Sequence, residues 1–437
     1  MAKKNSNLRA LIHASEILTG EGFRAKDGRH PQEADVGRIE DGALVYTEKK
    51  SVDGNKVPDQ IVWVGPSRTL PKQYKSLPTT DLKRRQAVTA GWVDCHTHLV
   101  FAGDRAEEFA ARCGGATYAE IAARGGGIQT SVRATRQASA AELLRLAIPR
   151  LREAYTFGVR TLEIKSGYGL THESELKVLG VVARLRKLFP EMTLTSTYLG
   201  AHAIPRDQKR DLYFREMLER TLPEVARRKL ADSCDIFVDE GYYTVDEAQR
   251  LLSRARELGL KIKIHADELG NTESAALAAR MQCLSADHLL QVSDQGITAL
   301  ATAQTVAVLL PGTAFYLKAA HAPARKLIAA GARVALSTDF NPGTCMTLSL
   351  PIIQTIAALY LGMTRAEILA GITYNAACAL GLQDRKGTLE VGRDADFTLI
   401  PFSRFEECYY RLGWAPAADI GTSGGKPNTR SMPSRAR

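Results

Sequence analysis

The chain has 437 residues, 45% of them hydrophobic and 24% charged. That suits one large globular domain, or a large domain with a smaller companion, and excludes a disordered tail protein or a disulfide-stapled miniprotein. The net charge of +10 is concentrated: segments 71–86 and 426–437 each hold a surplus of four positive charges, so the rest is nearly balanced and no nucleic-acid partner is expected.

In chain order, the N-terminus lacks the long apolar core and cleavage site of a signal peptide. The first eighty residues read as short strands and turns, with apolar stretches at Leu8–His13, Gly42–Thr47 and Gln60–Val64. Residues 388–400 alternate in the same way near the other end. Two β-rich pieces, 1–88 and 385–420, are therefore expected to pair into one small sheet domain. The Ser-, Gly-, Pro- and Arg-rich tail 421–437 reads as disordered.

Between them, residues 89–384 alternate short apolar runs with helical stretches. Strands are expected to end at 94–95, 164–165, 198–199, 237–238, 262–264, 284–285, 309–310 and 335–337. Amphipathic stretches at 140–157, 174–188, 244–258 and 321–330 are long enough for crossover helices. The longer first gap contains Gly125-Gly126-Gly127, which reads as a substrate loop. Eight βα units match a TIM barrel in number and size; a doubly wound open sheet would give the same alternation.

Polar residues collect where these strands end. His96 and His98 follow the first, Lys165 and Tyr168 the second, and His202 the third. Asp239 and Glu240 follow the fourth, His265, Asp267 and Glu268 the fifth, His288 the sixth, and Asp339 and Asn341 the eighth. With His172 in the loop after strand two, six of the nine histidines lie on or beside this set. A His-x-His pair on a strand points both imidazoles to one side. Adding His265 and Asp339 makes a three-nitrogen, one-oxygen set suited to Zn²⁺ or Fe²⁺ with a position for water. The plainer alternative is a group of core histidines bonded to backbone carbonyls. No Cys-x-x-Cys pair exists among the seven cysteines, so a thiolate site is not expected and a reducing cytoplasm is. No apolar run reaches bilayer length: the stretch 351–363 is short and interrupted by Gln354.

The segments VDCHTHLVFAGDR, GGATYAEI, EIKSGYG, YLGAHA, IHADELGN, SADHL and STDFNPG resemble the signature stretches of the imidazolonepropionases, a family of metal-dependent amidohydrolases. The resemblance runs from about residue 40 to residue 413. It implies a TIM (β/α)8 barrel with a small β domain built from both chain ends. It also implies a hydrolytic ring opening in histidine degradation, from 4-imidazolone-5-propanoate to N-formimidoyl-L-glutamate. Carried over by motif, His96, His98, His265 and Asp339 would hold one Zn²⁺ or Fe²⁺/Fe³⁺ ion per subunit. Arg105, Tyr118, Tyr168, His202, Asn341, Gly343 and Thr344 would bind substrate. Glu268 would bind it too and move the proton, although some members carry Gln there. The chain departs from the family after its Gly-Trp-x-Pro segment, where the Ser/Gly/Arg tail replaces the usual closing stretch.

These roles have a physical sense. A bound divalent ion lowers the pKa of its water from ~15.7 toward ~7. Glu268 can take the water proton and return it to the departing nitrogen. His288 can hydrogen-bond the attacking oxygen or the oxyanion, and Asp339 can orient the water. The guanidinium of Arg105 matches a propionate carboxylate. The plainer readings are a solvated acid at a helix start for Glu268 and an ion pair with Glu107 or Glu108 for Arg105. Lys165 closes the second strand rather than the fourth, where the carbamylated lysine of two-metal amidohydrolases sits, so one metal is expected. The rivals are a deaminase of aminated heterocycles with the same metal set, and a barrel that has lost catalysis and serves as a scaffold. A small-molecule substrate is expected, with no nucleic acid and no membrane; monomer and homodimer both stay open.

Overall fold

The computed structural model describes residues 7–48, 59–116 and 126–415. Tyr118, the first glycine of the expected substrate loop and the tail from 421 lie outside the described residues.

Strands β1 (Leu8–Leu18), β2 (Arg38–Thr47), β3 (Ile61–Pro66), β4 (Thr79–Asp81) and β5 (Ala87–Ala90) form the first sheet with β15 (Phe397–Ile400). β15 pairs antiparallel with β5, Leu399 opposite Val88, so the two ends of the chain meet in one sheet. Two details differ from the expectation. β1 runs on past His13 to Leu18, because a bulge between Leu11 and Ala14, with His13 at φ 53°, interrupts the alternation without ending the strand. Only the last four residues of 388–400 form a strand. The preceding stretch turns at Gly392, whose amide bonds Ile61 O at 2.8 Å, and is fixed by the Arg385–Asp394 and Lys386–Asp396 ion pairs.

The second sheet is parallel and runs in chain order: β6 (Trp92–Asp94), β7 (Val159–Lys165), β8 (Thr193–Ala201), β9 (Ser233–Val238), β11 (Ile264–Ala266), β12 (Ser285–His288), β13 (Val306–Leu309) and β14 (Val334–Leu336). A short segment β10 (Lys261–Ile262) precedes β11 and also pairs with β9. The ring closes just beyond the ends of β6 and β14. There the Asp339 amide bonds His96 O at 3.0 Å, and the His98 amide bonds Phe340 O at 2.8 Å. The buried Asp94 carboxylate accepts from the Ser337 hydroxyl and from the Thr338 amide and hydroxyl. Closure decides between the barrel and the open sheet in favour of the barrel. It also brings the eighth strand's Asp339 beside the first strand's histidines.

Helices Ala140–Thr156, His172–Leu188, Val245–Glu257 and Ala324–Ala330 occupy the expected crossovers. The first is capped by Ser139, whose hydroxyl accepts from the Glu142 amide, and buries Leu143, Leu144, Ala147, Leu151 and Ala154. That spacing is one helical face against the barrel, and each fully buried leucine is worth roughly 1.5–3 kcal/mol. The sixth strand was expected to end at 284–285 but begins there: its residues Ser285, Ala286, Asp287 and His288 are all buried. Three polar side chains in four positions disguise it as a loop.

Candidate active site

Side chains alternate across a strand, so inward positions on the barrel recur every second residue. That rule places Asp94, His96 and His98 on one line, and likewise Glu163 with Lys165, and Lys263 with His265. All are at most 2% exposed. One nitrogen from each of His96, His98 and His265 lies within 4.8 Å of the others, and His96, His288 and Asp339 form a second such group. Asp339 Oδ1 is 3.4 Å from His96 Nε2 and 3.5 Å from His98 Nε2. The other Asp339 oxygen accepts from Thr313 Oγ1 at 2.6 Å.

These groups fit a cation. His96 Nδ1 stands 2.6 Å from Asp287 Oδ2, and His265 Nδ1 stands 3.1 Å from Asp235 Oδ2. An ionised carboxylate only accepts, so the hydrogen-bonded His96 Nδ1 carries the proton and its Nε2 keeps a lone pair. His96 Nε2 and both ring nitrogens of His265 are buried and have no hydrogen-bond partner among the described residues. Burial, then Lys165, holds His96 neutral, with its pKa well below the ordinary range. Burial and His202 do the same for His98. Burial pushes the Asp339 carboxyl up to about 7. Neutral imidazoles beside a carboxylate that burial penalises are the donors a divalent ion would relieve. Asp339 and His288 adopt left-handed backbone, at φ 51° and 78°. These are uncommon conformations for such residues and recur at functional sites.

Beneath the histidines lies a buried ionic floor. Lys165 Nζ contacts Asp235 Oδ2 at 2.7 Å and Glu163 Oε2 at 2.9 Å, and Lys263 Nζ contacts Glu163 Oε1 at 2.8 Å. Burial alone would lower the Lys165 pKa, but Asp235, Glu163 and Asp287 more than reverse it. The acids thus hold Lys165 as an ammonium. Only Lys165 of this floor stood out among the strand ends in the sequence. Glu163, Asp235 and Lys263 sit inside runs that read as apolar strands, where the available signal was a polar residue at i+2 for Glu163 and Lys263. Asp287 lies in the polar stretch that disguised the sixth strand.

The histidines open on a cleft of roughly 760 Å³ whose walls include His98, Arg105, Tyr168, His202, His265, Glu268, His288, Asp339, Asn341 and Thr344. Glu268 Oε1 is 3.4 Å from His288 Nδ1. Burial, Asp339 and Asp239 together raise the Glu268 pKa well above the usual carboxylate range, so it is not the solvated helix-start acid of the plainer reading. Burial and His265 lower the His202 pKa to about 3; its ring stacks on His98 at 4.8 Å.

Several sequence candidates sit differently. Arg105 makes the ion pair weighed above: its Nε and Nη2 engage Glu108, whose carboxylate also accepts from the Gly127 amide. Arg105 still faces the cleft, with Nη1 against Gly343, where a Cβ would come within 1.9 Å of it. Gly343 itself is not on the cleft wall; it makes room for Arg105. Asn341 spends its side chain on its own loop, accepting from the Gly343 and Thr344 amides, each at 2.8 Å, and donating to Asp339 O. Asp239 accepts from the Leu269 and Gly270 amides and so holds the loop bearing Glu268. Asp267 accepts from the Thr272, Ser274 and Ala275 amides at the next helix start. His172 bonds Thr221 away from the cleft. Arg112, Arg206, Phe237 and Tyr242 line the cleft without having been singled out.

A model of the amidohydrolase family matches residues 87–410. The chain belongs to the amidohydrolase family. Among curated relatives, the imidazolonepropionase of Symbiobacterium thermophilum is 43% identical over 416 residues, covering 94% of this chain and 95% of the relative. That of Bdellovibrio bacteriovorus is 40% identical, covering 95% and 96%. That of Brevibacillus brevis is 48% identical over 328 residues, covering 75% and 77%. Among solved structures, an adenosine deaminase from Xanthomonas campestris with bound zinc superposes with a TM-score of 0.66 at 18% identity, over 93% of this chain and 87% of that one. At that identity the likeness shows the amidohydrolase barrel alone.

Proposed function

We propose that this chain is a metal-dependent imidazolonepropionase, opening the ring of 4-imidazolone-5-propanoate with water to give N-formimidoyl-L-glutamate. The observation that carries the reading is the convergence of His96, His98, His265 and Asp339 at the floor of a cleft that also holds Glu268, His288 and Arg105. The near full-length relatives narrow the reading from amidohydrolases at large to this ring opener.

His96, His98, His265 and Asp339 would hold one Zn²⁺ or Fe²⁺/Fe³⁺ ion, with Lys165 committed to the floor as an ammonium. Such an ion supplies a water of lowered pKa and polarises the ring carbonyl. Glu268 takes the proton from the attacking water as its oxygen bonds the carbonyl carbon. The same carboxyl delivers that proton to the ring nitrogen as the carbon–nitrogen bond breaks, so one group serves both directions. His288, beside Glu268, steadies the oxygen bearing the developing negative charge. Tyr168 and His202 flank the ring, and Arg105, on the cleft wall, offers its guanidinium to the propionate. Thr344 lines the same wall, and Asn341 and Gly343 shape the loop behind it. The seven cysteines are all free and six are buried, in keeping with a cytoplasmic enzyme.

The test is an assay with freshly generated imidazolonepropionate beside a panel of aminated heterocycles. The reading expects substrate loss matched by formimidoylglutamate. Ammonia release from the panel with no turnover of imidazolonepropionate would make the protein a deaminase instead.

A further inference from the structure

The loop 166–170 after β7 carries Tyr168 into the cleft, yet its own backbone faces a carboxylate that the mechanism does not use. Glu175, in the first turn of helix His172–Leu188, is fully buried. Its Oε1 accepts from the Gly169 and Leu170 amides, both at 2.8 Å, and its Oε2 from the Gly167 amide at 3.1 Å. Gly167 at φ 110° and Leu170 at φ 50° turn these amides toward one point, the concave arrangement in which backbone N–H groups bind an anion. At Gly169 a Cβ would lie 2.7 Å from Glu175 Oε1, so the glycine lets the carboxylate approach. On the other side Arg136 holds the carbonyls of Gly169 and Leu170, at 2.6 and 2.9 Å, and pairs with Asp207 at 2.6 Å in the loop after β8.

The consequence reaches both residues flanking the substrate ring. Tyr168 sits within the anchored segment, its ring 5.3 Å from His202. The Gly167 carbonyl lies 3.1 Å from His202 Nδ1, fixing the proton there and leaving Nε2 as an acceptor.

We propose that Glu175 is a positioning residue for substrate recognition: its carboxylate anchors the 166–170 loop, which sets the Tyr168 phenol and the orientation of His202. The proposal rests on the imidazolonepropionase reading for what the cleft binds, but not for the anchoring itself. Three donors need two acceptor oxygens. An amide at this position offers one, and turns an NH₂ group against a backbone N–H.

The test uses metal-loaded, full-length protein and imidazole-4-propanoate, which has the ring and carboxylate but no ring carbonyl to attack. Calorimetric Kd values are compared for wild type, Glu175→Gln, Tyr168→Phe and the double variant, with Leu185→Ala, a core change on the same helix, as the control for lost stability. Glu175→Gln should weaken Kd by about tenfold at unchanged metal content. Its effect should shrink to about twofold or less in the Tyr168→Phe background, as expected of coupled residues. Hydrogen exchange at residues 167–170, measured without ligand, should speed up in Glu175→Gln and not in Leu185→Ala. Should Glu175→Gln not fold, Arg136→Met releases the same loop from its other side and must produce the same pattern. Unchanged exchange, or effects on Kd that simply multiply in the double variant, overturns the proposal. Wild type that ignores imidazole-4-propanoate defeats the functional reading instead, while exchange still decides the anchoring.

Discussion

Asp287→Asn is the most informative change to the floor. The carboxylate has one strong bond to a histidine of the metal set, His96 Nδ1 at 2.6 Å, and weaker attraction to Lys165 and Lys263 at 3.6 and 3.9 Å. With every group ionised, the floor counts three acids (Glu163, Asp235, Asp287) against two lysines (Lys165, Lys263), a net −1 beneath the cation. The asparagine removes that charge without changing the shape. Its NH₂ can also face Nδ1, favouring the tautomer whose proton sits on Nε2, where the ion should bind. Losing a carboxylate that orients a metal-bound histidine costs ~10–100-fold in affinity, or about 1.4–2.7 kcal/mol. The assay is competition of the protein with a chelator of known affinity, read by elemental analysis. Metal affinity within a factor of two of wild type would refute the claim that the floor sets the His96 tautomer.

Glu268→Gln should keep its metal and lose ~100-fold or more in kcat; near-normal turnover would leave Glu268 a structural acid and shift the proton to His288. Arg105→Lys keeps the charge but breaks the fork shared with Glu108 and the cleft, so kcat/KM should fall by ~10–100-fold. An analogue lacking the carboxylate should be indifferent to Arg105→Ala; equal losses for both substrates would move carboxylate recognition elsewhere, with Arg112 and Arg206 on the same wall the next to test. Because Asp339 sits at about 7 in the metal-free protein, protons compete with the ion below that pH. Apparent affinity should therefore drop by up to about tenfold per pH unit as pH falls from 7 to 6, and a flat profile over that range would remove Asp339 from the ligand set.

The ends of the barrel strands were readable because each short apolar run stops at polar residues, and His96, His98, His265 and Asp339 all sit at or just beyond such stops. The interior was not. A short apolar run does not say where its occasional charged residue points, so nothing local marked Glu163 and Lys263 as facing the barrel interior. The sixth strand was misplaced because Asp287 and His288 are buried by partners from other strands, information absent from any local window. Likewise, Glu175 reads as an ordinary acid near a helix start; only the fold brings the amides of Gly167, Gly169 and Leu170 onto it. Substrate identity came from motif resemblance and not from composition or spacing, which fit a deaminase equally well.

The central claim is that water attacks the ring carbonyl in this cleft, and turnover in ¹⁸O-labelled water tests it most directly. The account predicts formimidoylglutamate with one ¹⁸O atom in the carboxylate newly formed from the ring carbonyl, in an amount that vanishes on metal removal. Label appearing at the formimidoyl carbon instead, or unlabelled product at the same rate without metal, would contradict it.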